Sequence, residues 1–206
     1  MMDSRDVAGE NRGSGIVPEA SPRQRAGCPR HVRIVLSGPE SSGKSTMAAA
    51  LAERFGLSCA PEHARVHLES GGAYPPSPEA LVALAREHLA WQRECVAPEW
   101  PCGIFDTDML NYFVWADVAF GHVPPEIEAW FAGEAHHVHL LCEPDLDWQP
   151  DPLREFPDPG KRRMLFERYR TELERRGMRH FIIRGTGDAR VAMAADCVRQ
   201  ALENQV

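Results

Sequence analysis

The 206 residues, 43% hydrophobic and 26% charged, suffice for one domain with a substantial core and leave little room for two. A formal net charge of −7 argues against general nucleic-acid or anionic-membrane binding, which draws on exposed positive charge. No apolar run approaches the roughly 20 residues of a membrane helix, and the polar N-terminus has no signal-peptide core, so the expected location is the cytoplasm.

Residues 1–30 are rich in Gly, Ser, Pro, Arg and Glu and have no apolar periodicity. They read as a disordered tail ahead of a single domain over 31–206. Order begins at Val32-Arg33-Ile34-Val35-Leu36, apolar at nearly every position, as a strand buried on both faces of a parallel sheet should be. A helix opening at Gly43 carries Met47, Ala50, Leu51 and Phe55 on one stripe and stops at Gly56. Leu57 to Ala60 predicts a second strand. After the Gly/Pro-rich stretch 71–78, a long helix runs from about Glu79 to Ala97. Cys102 to Phe105 is the third strand, closing on Asp106-Thr107-Asp108.

A helical, aromatic-rich region follows and breaks at Pro124-Pro125. Val138 to Cys142 is the fourth strand, and proline-rich, charged sequence separates it from a helix marked by Leu165, Tyr169 and Leu173. Phe181 to Ile183 is the fifth strand, and Val191, Val198 and Leu202 mark a last helix. Strands alternating with helices predict an α/β three-layer sandwich around a parallel sheet of about five strands. Six cysteines occur without a CxxC pair and read as small buried hydrophobes in a reducing compartment.

The chemistry is concentrated at Gly38-Pro39-Glu40-Ser41-Ser42-Gly43-Lys44-Ser45-Thr46, a complete Walker A pattern with a strand before it and a helix after. Its glycines let successive backbone N–H groups turn inward on phosphate oxygens, and the helix dipole adds to the attraction. Lys44 bridges the terminal phosphates of ATP and the Ser45 hydroxyl is set to ligand Mg²⁺. Asp106, directly after the third strand, falls at the sheet edge where open α/β sheets bind ligands. It suits either Mg²⁺ coordination or acceptance of a substrate hydroxyl proton. Asp108 fits the same work or the N-cap of the following helix, and the sequence leaves both open.

The class of P-loop protein follows by elimination. No N/T-K-x-D guanine motif appears, against a GTPase, and a second helical domain with an arginine finger has little room. Arg154, Lys161, Arg162 and Arg163, amid prolines, suggest a short lid over about 147–163. Such a segment excludes water and neutralises charge on the transferring phosphoryl group.

Four stretches taken in order, namely the Walker loop, Pro61-Glu62-His63-Ala64-Arg65, Phe105-Asp106-Thr107-Asp108 and Trp148 to Arg154, resemble the ribosylnicotinamide kinase-like AAA-type ATPases. These include the kinase domain of bifunctional bacterial NAD-salvage regulators. The resemblance spans about Arg33 to Gly185. It implies a P-loop NTPase fold of the nucleotide-kinase type and transfer of the ATP γ-phosphate to the 5′-hydroxyl of nicotinamide riboside, a small-molecule acceptor. It further implies that Trp148 borders the pyridinium ring, that Asp151 and Arg154 belong to a substrate-facing lid, and that Glu62 and Arg65 line the acceptor pocket. No HxGH nucleotidyltransferase motif occurs, so only the kinase activity is implied. Alternative readings are another nucleoside or nucleotide as acceptor, or an ATPase switch acting on a protein partner.

Other features read more plainly. His136, His137 and His139, at a strand entrance with no paired cysteine, read as surface or edge histidines. Trp91, Trp100, Trp115, Trp130 and the neighbouring phenylalanines read as core, although Tyr112 or Trp115 stands where a side chain closing over an acceptor would be. Thr186-Gly187-Asp188 suits an approach to adenine or a helix-entry turn equally.

Overall fold

The computed structural model describes residues 32–97 and 102–203; the tail read as disordered, together with Trp100, lies outside the described residues. Apolar strands and one-sided helices alternate along the chain. In order they are β1 (Val32–Ser37), α1 (Lys44–Phe55), β2 (Cys59–Ala60), α2 (His63–Glu69), α3 (Pro78–Cys95) and β3 (Cys102–Asp106), then α4 (Met109–Phe120), α5 (Pro125–Gly133), β4 (Val138–Cys142), α6 (Pro159–Arg175), β5 (His180–Ile183) and α7 (Gly187–Glu203). The five strands form one sheet in the order β2-β3-β1-β4-β5, all parallel.

This is the expected three-layer α/β sandwich. Side chains alternate across each strand, so Ile34 and Leu36 face Met47 and Leu51 of α1 and Ala194 and Val198 of α7. Phe113, Phe131, Leu165 and Leu173 build a second core from α4, α5 and α6 with Leu84 of α3. Central β1 has β3 on one side and β4 on the other. The chain therefore reverses its winding at the C-terminal end of β1, where a ligand crevice forms in sheets of this kind.

Helix ends follow local chemistry. Gly56 ends α1 in a left-handed turn, φ 63°, and Ser77 caps α3 by accepting from the Ala80 amide ahead of Pro78 at the first position. The short helix α2 is absent from the sequence reading because none of its residues is buried, which leaves no apolar stripe to detect. The two histidines of odd number depart from expectation. His137 and His139 are buried, 3% and 0% exposed, because residues two apart share one face of a strand. Burial pulls the His139 imidazole down to about 4, so it is neutral at pH 7. Cys59, Cys95, Cys142 and Cys197 are free thiols, but only Cys142 is buried as expected, the other three being half-buried, and Cys102 is disulfide-bonded. Among the described residues no helix is long and apolar enough to cross a membrane.

Candidate functional site

The loop from β1 to α1 wraps at the crevice. Gly38 takes φ 130°, and a Cβ there would meet the Cys142 carbonyl oxygen at 2.6 Å, so only glycine lets the loop pass this close to β4. Within the loop the Lys44 ammonium donates to the Pro39 carbonyl at 3.0 Å and the Ser42 hydroxyl to the same oxygen at 2.8 Å. The first turn of α1 holds no acidic residue, leaving its N-terminal amides and dipole free for an anion.

Asp106 ends β3 beside this loop and is 3% exposed. Burial pushes its carboxyl above the usual range, while the Lys44 charge and a hydrogen bond from Ser45 oppose that shift. Its Oδ1 is buried without a hydrogen-bond partner. A hard dication shared with the Ser45 hydroxyl fits that orphaned oxygen and the oxygen-only donor set. The next residue, Thr107, adopts φ 76°, a strained conformation for a β-branched side chain. It is held there by its own N–H donating to Leu36 and by Gln92 Nε2 donating to its carbonyl.

The 143–158 segment between β4 and α6 lies across the phosphate loop. Glu40 Oε2 accepts the N–H groups of Glu155 and Phe156 at 2.9 and 3.0 Å. Ser41 Oγ accepts from Gln149 N at 3.0 Å. From α2, Arg65 pairs with Asp151 at 3.0 Å, and the Tyr74 hydroxyl donates to the Leu153 carbonyl at 2.7 Å. Arg190 of α7 braces the other side. Its guanidinium donates to the carbonyls of Ser42, Glu143 and Gly185 and pairs with Asp145.

Beneath the segment is a cavity of about 200 Å³. All nine residues of the phosphate loop line it, and so do Tyr74, Trp115, Phe156 and Tyr169. Trp115 meets Tyr74 edge-to-face, and the Tyr169 hydroxyl donates to Asn111 Oδ1 at 2.5 Å. Glu62 and Arg65 line it as well. Burial pushes the Glu62 carboxyl up, and the Lys44 charge partly offsets this.

Of the residues singled out in the sequence, the loop 38–46, Glu62, Arg65 and Arg154 line the cavity, and Asp106 adjoins it through Lys44 and Ser45. Asp151 lies in the covering segment as expected, turned to Arg65. Asp108, Trp148, Lys161, Arg162 and Arg163 are not brought to the cavity. Asp108 is fully buried, caps α4 through the Leu110 amide and faces His137, so the N-cap alternative is the one realised. Trp148 is flanked by the guanidinium groups of Arg154 and Arg162, 5.9 and 5.8 Å from its ring, and two cations beside one indole disfavour a third. Arg162 is buried on α6 and donates to the carbonyls of Pro144 and Leu146, a strut under the segment. Arg163, also on α6, pairs with Glu143 and Glu167.

The sequence reading missed Arg190, Tyr74, Asn111 and Tyr169. For Arg190 a signal existed: it falls on the apolar stripe of α7 with Ala194, Val198 and Ala201, and a charge on such a stripe is unusual. Thr186, Gly187 and Asp188 are exposed at the start of α7.

A family model described as an AAA domain matches residues 33–190. A search of the curated proteins finds no match. Among solved structures, the NadR protein in complex with NR aligns with TM-score 0.61 at 19% identity, covering 84% of this chain and 51% of that one. NadR in complex with NAD and AMP-PNP aligns with TM-score 0.62 at 17% identity, covering 86% and 51%. This chain thus spans about half the length of those proteins. Thymidylate kinase from Ehrlichia chaffeensis aligns with TM-score 0.53 at 16% identity over 84% of this chain and all of that one. The family match bears out the resemblance drawn from the four motifs, and the structural matches share the P-loop kinase fold.

Proposed function

Since the chain belongs to the AAA-domain family that matches residues 33–190, we propose that it is an ATP-dependent kinase of a nucleoside-type hydroxyl, with nicotinamide riboside as its acceptor. One observation carries the reading: a single cavity is lined by a complete phosphate loop, by four aromatic side chains and by the Glu62 carboxylate. A nucleotide's phosphates suit the loop, and a flat heterocycle suits the aromatic side chains.

The division of labour follows from position. Backbone amides of 38–46 and the Lys44 ammonium hold the phosphates of ATP, Lys44 leaving the Pro39 carbonyl to do so. Ser45 and Asp106 would hold Mg²⁺, which when bound with ATP supplies charge neutralisation at the phosphates. Glu62 orients the acceptor hydroxyl and takes its proton as that oxygen bonds to the γ-phosphorus. The bond from γ-phosphorus to the β-bridging oxygen breaks and ADP leaves. Arg154, on the covering segment, adds positive charge at the migrating group while that segment, acting as a lid, keeps water out.

A pyridinium riboside is favoured as acceptor because Trp115 and Tyr74 put aromatic rings, and Glu62 a carboxylate, on the wall of the same cavity, groups that suit a flat cation. NadR, whose fold this chain shares, is described in complex with NR. The test is a mass-spectrometric screen of nucleosides with Mg-ATP. A monophosphate formed from nicotinamide riboside in preference to neutral nucleosides supports the reading. Preference for a neutral nucleoside would replace the acceptor while keeping the reaction class.

A further inference from the structure

A second polar cluster lies outside the cavity, where three elements meet. Asp108 caps the start of α4, Glu134 closes α5, and His137 directly precedes β4. One donor atom from each of these three side chains lies within 4.8 Å of the other two. His137 Nδ1 stands 3.0 Å from Asp108 Oδ2 and 3.8 Å from Glu134 Oε2, and all three side chains are at least nine-tenths buried. A second imidazole points at the same oxygen. His139 Nε2, on a side chain with no exposure, is 3.6 Å from Asp108 Oδ2 and has no hydrogen-bond partner.

Ligand atoms around a tetrahedral zinc, with bonds of about 2.0–2.1 Å, sit about 3.3 Å from one another. The two spacings from His137 straddle that value. The surroundings also hold the donors in place, as a second shell does. Asp108 Oδ1 accepts from Leu110 N, which leaves Oδ2 for the cluster, and Glu134 accepts from Met109 N. The other ring nitrogen of His139 is hydrogen-bonded to Ser37 Oγ at 2.9 Å. Two carboxylates in so dry a place also need compensating charge.

We propose that Asp108, Glu134 and His137 form a structural site for one transition-metal dication of the zinc type, with the unpartnered His139 Nε2 beside it at Asp108 Oδ2. Mixed imidazole and carboxylate donors select such an ion over Mg²⁺, which takes oxygen alone. The site is separate from the place of Mg-ATP. It ties the start of α4 and the end of α5 to β4 and, through His139 and Ser37, to the residue that opens the phosphate loop. The competing occupant is a proton held between the two carboxylates, helped by the half-buried Arg33 charge that acts on Glu134.

The experiment uses the full chain, stripped with a chelator, dialysed, and titrated with Co²⁺ and Zn²⁺ in the absence of nucleotide. One cobalt per chain is expected, with ligand-field bands in the visible and no thiolate-to-cobalt charge transfer, and zinc should displace it and raise Tm. Glu134→Gln and His137→Gln should each weaken binding on the order of 100-fold, beyond or at the top of the range for outer-shell changes, and Asp106→Asn should leave it unchanged. Absence of stoichiometric binding, a thiolate charge-transfer band, or undiminished binding in both substituted proteins would overturn the proposal in favour of the proton. If a substituted protein does not fold, the stoichiometry and spectrum of the wild-type chain decide alone.

Discussion

The Glu40 carboxylate, in the middle of the phosphate loop, accepts the backbone N–H of Phe156 at 3.0 Å from 116 residues away in the chain. The same oxygen accepts from Glu155. The segment that lines the cavity with Leu153 to Phe156 is therefore held by the phosphate loop. Glu40→Ala should raise KM for the acceptor roughly tenfold, about 1.4 kcal/mol, near the lower end expected for a charged hydrogen bond. Glu40→Gln keeps an accepting oxygen and should fall between. Steady-state kinetics check this, and an unchanged acceptor KM in Glu40→Ala would separate loop from lid.

Trp115 and Trp148 should behave oppositely. Trp115 lines the cavity against Tyr74, so Trp115→Ala should weaken acceptor binding by about 0.5–2 kcal/mol, the span of a cation–π contact. Trp148 lies between Arg154 and Arg162, and Trp148→Ala should change acceptor affinity little. Calorimetric titration of acceptor into protein saturated with a non-hydrolysable ATP analogue compares the two. A larger effect at Trp148 would restore the role that the motif resemblance implied for it.

Legibility in the sequence tracked locality. The phosphate loop, β4 and the stop at Gly56 rest on patterns a few residues long, and each appears where it was read. The polar core was not legible, because it depends on which distant residues the topology brings together. Asp108 offers a carboxylate suited to several tasks, and only its placement against His137, 29 residues on, decides among them. The aromatic lining is similar: Asn111 and Trp115 stand one turn apart on α4, but no local spacing relates them to Tyr74 or Tyr169, which come from two other segments.

His88 sets an acid limit on stability. It is 1% exposed on α3, packed edge-to-face on Tyr112, and neither ring nitrogen has a hydrogen-bond partner. Burial pulls it down to about 3 from the usual 6.5. Between those values the unfolded chain binds the proton and the folded chain does not, so this contribution to stability falls as pH falls. From pH 7.5 to 4.5 the loss from this residue should be about 2–3 kcal/mol. Denaturant unfolding across that range should show a shallower acid slope for His88→Leu than for wild type. Identical slopes would mean that the folded protein takes up the proton at His88 as readily as the unfolded chain.

Lys44 carries the central claim, because its ammonium, now donating to the Pro39 carbonyl at 3.0 Å, is the charge assigned to the migrating phosphate. The direct measurement is the yield of ADP and of phosphorylated nucleoside from Mg-ATP, with and without nicotinamide riboside, for wild type and Lys44→Ala. Kinase chemistry predicts equal amounts of the two products, formation that depends on the acceptor, and loss of both in a Lys44→Ala protein whose circular dichroism matches wild type. ATP hydrolysis indifferent to every nucleoside acceptor, or wild-type turnover by folded Lys44→Ala, would contradict it.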